Sequence, residues 1–372
     1  MEALYANLAN LTPGQVVMWI IGGVLIYLAI KKDMEPTLLL PMGFGAIIVN
    51  LPVAEEGTGI QHVLDTLFDI GIAGAELFPL ILFIGIGAMI DFGPLLTNPK
   101  LMIFGAAAQF GIFFTLALAS VLGYDLADAA SIAIIGAADG PTSIFVATEL
   151  GSKYLGAIMV AAYSYMALVP LVQPPIIKLC TTKKERLIRM DNSGGAKVSK
   201  TTRILFPIIV TIIIGLVAPD AVALISFLMF GNLIRECGVL DSLSETAQKV
   251  LANLITIFLG ITIASQMKAA DFLAWDTLII IGLGLVAFIF DTIGGIMIAK
   301  LMNLFSKKKI NPMIGAAGIS AFPMSARVVH KMGLQEDNQN FLLMHSIGVN
   351  VSGQIASVIA GGLILTLVKA VL

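Results

Sequence analysis

Charge is scarce in this chain: acidic and basic side chains make up 12% of its 372 residues, against about 25% in an average soluble domain. A surface so poor in charge cannot all face water. Hydrophobic residues at 58% and a mean hydropathy of +0.96 place the chain among polytopic, all-α membrane proteins. Cysteine is equally thin: Cys180 and Cys237 stand far apart without CxxC spacing, which excludes a disulfide framework or a thiolate metal site. His62, His330 and His345 are scattered, so no pair has the spacing that a haem or zinc site on one helix needs. A net charge of -2 hides an asymmetry, since no Lys or Arg occurs between Lys32 and Lys100, and no nucleic-acid partner is expected.

The basic residues that are present cluster from Lys178 to Arg203 and at Lys307-Lys308-Lys309, and such loops stay cytoplasmic. That orients the chain across its membrane. The first apolar run, Val16 to Ile30, follows Glu2 and precedes Lys31-Lys32, the reverse of a cleavable leader, and is expected to remain as a span with its N-terminus outside. Further runs at 37–53, about 74–91, 101–122, 155–172, 204–218, 221–235, 250–267, 276–300 and 341–372 bring the expected count to about ten spans. Glu55, Glu56, Asp65 and Asp69 suit the outer face, and Glu76, Asp91 and Glu149 are explained by solvation at span ends.

Two stretches cannot be ordinary membrane helices. Gly136-Ala137-Ala138-Asp139-Gly140-Pro141-Thr142-Ser143 sets a carboxylate, a proline and two glycines between apolar runs. Proline lacks an amide hydrogen and glycine leaves the backbone loosely specified, so an interrupted helix is expected. Irregular backbone at membrane depth survives only beside protein or a watery cavity, and a charge there costs at least roughly 2.5 to 3.5 kcal/mol. Asp139 is therefore the first candidate site residue, the alternative being a helix-capping aspartate at the interface. The second stretch, Asn311 to Pro323, has prolines near both ends, with Arg327 four residues beyond. If the first stretch crossed the membrane, the most basic loop would lie outside. Reading both as hairpins that return to their own side removes the conflict.

The halves can be laid on each other. Phe44-Gly45 answers Phe230-Gly231, Gly136-Ala137-Ala138 answers Gly315-Ala316-Ala317, and a polar-studded span follows each broken stretch. One span between the halves, 204–218, inverts the second relative to the first, the plan of secondary transporters whose broken helices meet at mid-membrane. The expected organisation is an extra span over 1–36, a first repeat over 37–177, a basic loop and flipping span over 178–220, and an inverted repeat over 221–372. Glycine-rich membrane helices also resemble one another by composition alone.

GAADGPTS at 136, the tyrosines of Ala162-Tyr163-Ser164-Tyr165-Met166, and NPMIGAAGISAFPMSAR from 311 resemble the β subunits of sodium-translocating biotin-dependent decarboxylases, over nearly the whole chain. Ala137, where the family more often has glycine, is the one departure. The resemblance implies decarboxylation of carboxybiotin presented by a cytoplasmic carrier, coupled to Na+ export and proton uptake. It implies essential roles for Asp139, Tyr165, Asn311, Gly315, Ser320 and Arg327, and as partners a carboxyltransferase α subunit, a biotin carrier protein, a small membrane-anchor subunit and further copies of this chain. No biotin-attachment lysine between methionines occurs here, so biotin arrives on another chain.

The chemistry of those residue types agrees. Sodium takes oxygen ligands, and carbonyls freed at broken helices, the Asn311 amide, the Ser320 hydroxyl and the Asp139 carboxylate offer them. Tyr165 could relay a proton, although membrane tyrosines also pack at interfaces. Arg327 suits a carboxylate with two parallel hydrogen bonds, or snorkels from a helix end. Asp291, inside the run 276–300, is either a proton or ion group or a hydrogen-bonded helix contact. Two rivals share these features in part: a stand-alone transporter of a small anion, and a non-catalytic membrane anchor. The carboxyl donor is bound by a partner, so oxaloacetate, methylmalonyl-CoA, glutaconyl-CoA and malonate stay open, the compact length leaning towards an acyl-CoA.

Overall fold

A computed structural model describes residues 10–52, 59–74, 76–190 and 198–372, and within them all regular structure is helical. Glu2, Glu55, Glu56 and Ser193-Gly194-Gly195 lie outside the described residues. Thr12 opens α1 (Pro13–Lys32) with a capping box to Gln15 and a proline in the first turn, and Lys31 and Lys32 sit in its last turn, where cations favour the helix dipole. There follow α2 (Pro36–Val49), α3 (Gly59–Phe68), α4 (Leu77–Met89), α5 (Met102–Ala107), α6 (Phe110–Val121), α7 (Leu126–Ala133), α8 (Gly140–Glu149) and α9 (Leu155–Cys180). The second half comprises α10 (Lys200–Val217), α11 (Val222–Glu236), α12 (Ala252–Ala264), α13 (Trp275–Phe305), α14 (Met324–Glu336) and α15 (Leu343–Lys369).

Among the described residues, seven helical stretches are long and apolar enough to cross a membrane, or eight if α3 and α4, bent by 63° where they meet, form one span. Two local features differ from the sequence reading. Within the span Pro99–Val121, which matches the run at 101–122, the helix is interrupted between α5 and α6 at Ala108-Gln109, a break no proline announces. Glu76, expected at a solvated span end, is buried in a left-handed turn at the bend before α4.

Both broken stretches double back. Asp125 caps α7 through the Asp128 amide, the chain turns at Ile134–Ala137, and α8 returns so that Ser152 donates to the Asp128 carboxylate at 2.7 Å. The Asn311 stretch winds as a 3-10 helix over Pro312–Gly318, and α14 leads back to the end where Arg186 meets Glu336 at 2.6 Å and Arg189 meets Asp337 at 2.5 Å. The two hairpins therefore enter from opposite ends. The far end holds Lys369 with Glu149 and Asp220, and Lys153 with Asp128.

Close approach of backbones holds the bundle together, as membrane helices lacking a hydrophobic drive between them require. Gly45 of α2 lies on Ala264 of α12, and Gly231 of α11 lies on the Ile84 carbonyl of α4. Gly295 of α13 and Gly315 of the second broken stretch stack backbone on backbone. A methyl group at any of these positions would have to force helices apart.

Candidate functional site

Two of the candidate residues, Asp139 and Ser320, come together where the two broken stretches touch. Ala138 adopts a left-handed turn that ends the 3-10 segment, and Asp139 follows with extended backbone as the N-cap of α8, with Pro141 in the first helical turn, where its missing amide hydrogen costs nothing. Asp139 thus is a capping residue, and one only 3% exposed. Its Oδ2 accepts from the Thr142 hydroxyl at 2.8 Å and the Ser357 hydroxyl at 3.1 Å, and its Oδ1 from the Thr142 amide at 3.5 Å. All three donors are neutral. The carboxylate is solvated by dipoles and no cationic side chain is bonded to it among the described residues.

The Ser320 amide donates to the Ala137 carbonyl at 3.0 Å, joining the second break to the first. Its hydroxyl donates to the Gly353 carbonyl at 2.9 Å, and its own carbonyl accepts from the Gln354 amide. Asn350 donates to the Ala317 and Ile319 carbonyls at 3.1 and 2.7 Å, and Gln173 donates to the Ala316 carbonyl at 2.7 Å. The polar residues of α15 satisfy carbonyls that an unbroken helix would have used itself, which is how non-helical backbone is kept at this depth. A cavity of about 230 Å³ opens here, with Glu35, Asp139, Tyr163, Ser320 and Gln354 among its walls. Burial pushes the Glu35 carboxyl above its ordinary pKa, opposed by the Arg327 guanidinium and a hydrogen bond with Thr37.

Of the residues singled out in the sequence, Asp139 and Ser320 are brought together. Arg327 stands exposed on α14, within electrostatic reach of Glu35. Asn311 is elsewhere: its amide donates to the Arg186 and Ile188 carbonyls at 2.9 Å each, and its oxygen accepts from the Met313 amide, so its oxygen is spent on the turn and its donors on the basic loop. Gly315 packs on α13. Tyr165 faces α13 as well, donating to the Ile281 carbonyl at 2.5 Å. Tyr163 is the tyrosine beside Asp139, its ring lying on Gly140. Asp291 is fully buried, with Oδ1 accepting from the Gly111 and Ile112 amides at the α5–α6 break.

The sequence reading gave no site role to Thr142, Tyr163, Gln354 or Ser357. The last two had a signal: Asn350, Gln354 and Ser357 recur at helical spacing in an otherwise apolar run and mark one polar face. No group of three or more His, Cys, Asp or Glu side chains able to hold a metal occurs among the described residues. The site offers a carboxylate, hydroxyls and amide oxygens, a donor set for a hard monovalent ion.

Comparison with known proteins agrees with this chemistry. A family profile described as the Na+-transporting oxaloacetate decarboxylase beta subunit matches residues 14–368. The methylmalonyl-CoA decarboxylase subunit beta of Propionigenium modestum is 46% identical over 383 residues, covering 96% of each chain. The glutaconyl-CoA decarboxylase subunit beta of Acidaminococcus fermentans is 48% identical over 359 residues, 96% of this chain and 94% of its own. The oxaloacetate decarboxylase beta chain of Klebsiella pneumoniae is 44% identical over 434 residues, covering all of both chains.

Proposed function

Because the chain belongs to the family of Na+-transporting decarboxylase beta subunits, we propose that it is the membrane subunit that decarboxylates carboxybiotin and couples that reaction to Na+ export with proton uptake. The observation that carries the proposal is the contact between the two broken stretches, Ser320 amide to Ala137 carbonyl, beside a buried carboxylate that faces a cavity. Na+ is the cargo. Asp139 supplies the negative charge that makes a dehydrated cation tolerable, and Ser320 and Ser357 hold neighbouring oxygens in place. When the ion leaves, the same carboxylate is free to take a proton, so ion and proton compete for one oxygen.

Biotin on a carrier chain supplies the labile carboxyl group, and breaking its N–carboxyl bond releases CO2 and consumes one proton at the ring nitrogen. The residues here fit its approach: Arg327 is an exposed guanidinium on the hairpin that enters from the basic end, able to grip a carboxylate through two parallel hydrogen bonds. Tyr165 positions α9 against α13 through the Ile281 carbonyl. Asn311 and Gly315 hold the second hairpin in register, the one through the basic loop and the other through α13.

The architecture proposed with this function is ten spans, α1, α2, α4, α5–α6, α9, α10, α11, α12, α13 and α15, plus two hairpins in an inverted repeat, with the boundaries 1–36, 37–177, 178–220 and 221–372. The paired packing of Gly45 on α12 and Gly231 on α4 and the opposite entry of the hairpins support it. The partners proposed are a carboxyltransferase α subunit, a biotin carrier protein and a small membrane-anchor subunit around a homo-oligomer of this chain in the bacterial inner membrane.

The test is Asp139→Asn in the assembled complex. The amide keeps the shape and the cap but removes the charge, and the complex should still assemble while Na+-dependent decarboxylation of carboxybiotin falls by about a hundredfold or more. Normal turnover in the variant would remove Asp139 from the mechanism.

A further inference from the structure

Two tyrosines stand two residues apart on α9, and a helix turns about 200° over that interval, so they point to opposite sides. Only one of them can face the ion cavity. Tyr165 is committed to the Ile281 carbonyl and stacks near Phe288. Tyr163 lies across Gly140, the residue that follows Asp139, where any larger side chain would collide with its ring. Glycine at 140 is thus the seat of the Tyr163 ring.

The phenol oxygen of Tyr163 is fully buried and has no hydrogen-bond partner among the described residues, and the same holds for Oε1 of Gln354. Both residues line the cavity that Asp139 lines. Buried polar atoms are almost always satisfied, so unpartnered oxygens beside a carboxylate in one cavity await an electron-pair acceptor. The other carboxylate lining the cavity, Glu35, has its own partners, a hydrogen bond with Thr37 and the Arg327 guanidinium. One carboxylate with neutral oxygens suits a monovalent hard cation.

Resting on the sodium reading above, we propose that Tyr163 supplies the phenol of the ion site, its Oη a neutral ligand to the Na+ held by Asp139, with the Gln354 amide oxygen as a further ligand. Tyr163 is then a specificity-determining residue: its oxygen, buried and unpartnered beside the carboxylate, is the one the cation takes up.

The experiment is Tyr163→Phe in the full decarboxylase complex, which keeps the ring on Gly140 and removes one oxygen. Na+ activation of decarboxylation is measured at saturating carboxyl donor, together with the Na+-dependent rise in thermal stability of the detergent-purified complex. The Na+ concentration for half-maximal rate should rise about tenfold or more, with the rate at saturating Na+ within about threefold of the parent, and stabilisation should need correspondingly more Na+. An unchanged half-saturating Na+ together with unchanged Na+ stabilisation overturns the assignment and leaves Tyr163 a packing residue. If the parent complex itself shows neither response to Na+, the sodium reading fails, and this inference with it.

Discussion

Asp291 shows how far a single side chain can be read. In the sequence it is a carboxylate inside an apolar run, equally suited to carrying an ion and to bonding a neighbouring helix. The structure shows one oxygen bound to the Gly111 and Ile112 amides, the free donors that open α6 after its break, and the other without a partner and close to Gly136, whose missing Cβ would sit 2.7 Å away. Removing the acceptor leaves two buried amides unpaired, about 1 to 3 kcal/mol for each. Asp291→Ala should therefore lower the thermal midpoint of the purified complex clearly, and Asp291→Asn, which keeps one oxygen for the same amides, should lower it less. Equal loss of Na+ transport in both variants at undiminished stability would show that the charge, not the bond, is what matters there. Asp139 stood out in the sequence as a candidate because glycine and proline flank it. That Tyr163 rather than Tyr165 lies beside it did not, because choosing between them requires knowing which face of α9 meets Gly140.

At the scale of elements, the hairpins were readable from proline, glycine and the position of basic loops, while their fastening was not. Asn311 looked like an ion ligand on the strength of its oxygen. Its amide in fact ties the start of the second hairpin to carbonyls at 186 and 188, and Asn340 adds a bond to the Arg186 carbonyl at 2.9 Å, a contact over more than a hundred residues that local pattern cannot reveal. The break between α5 and α6 was invisible for the same reason: the bonds that compensate it come from α13. At the mouth of the hairpin the Arg189 guanidinium, with the Gln339 amide, holds the Asp337 carboxyl below the ordinary carboxylate range. A depressed folded value means that the contribution is complete above the ordinary aspartate range and is lost as pH falls through the lowered one. Protection of the amides across 183–189 in the intact complex, taken relative to their intrinsic exchange rates, should accordingly be full at neutral pH and fall only well into the acid range. In Asp337→Asn it should be low already at neutral pH, and equal protection in variant and parent would show that the clamp rests on Arg186 and Glu336 instead.

For the whole molecule, the orientation rests on charge and the depth of the site on where the two hairpins end. α13 offers a direct measure of both, since it runs for 31 residues from Trp275 to Phe305, about 46 Å at 1.5 Å per residue, enough to cross the hydrocarbon core and both interfaces. Its first end is flanked by exposed Ala274 and leads from the cluster of Asp271, Lys268 and Asp65. Its last end meets Ser306 and the run Lys307-Lys308-Lys309, where Lys300 pairs with Glu185. Loops rich in lysine remain in the cytoplasm, so with Cys180 and Cys237 replaced by serine, Ala274→Cys should react with an impermeant thiol reagent added outside sealed cells. Ser306→Cys should react only after the membrane is opened. Reaction of Ser306→Cys from outside would turn the molecule over, place Arg327 on the external face where no cytoplasmic carrier can reach it, and remove the physical basis for carboxybiotin as its substrate.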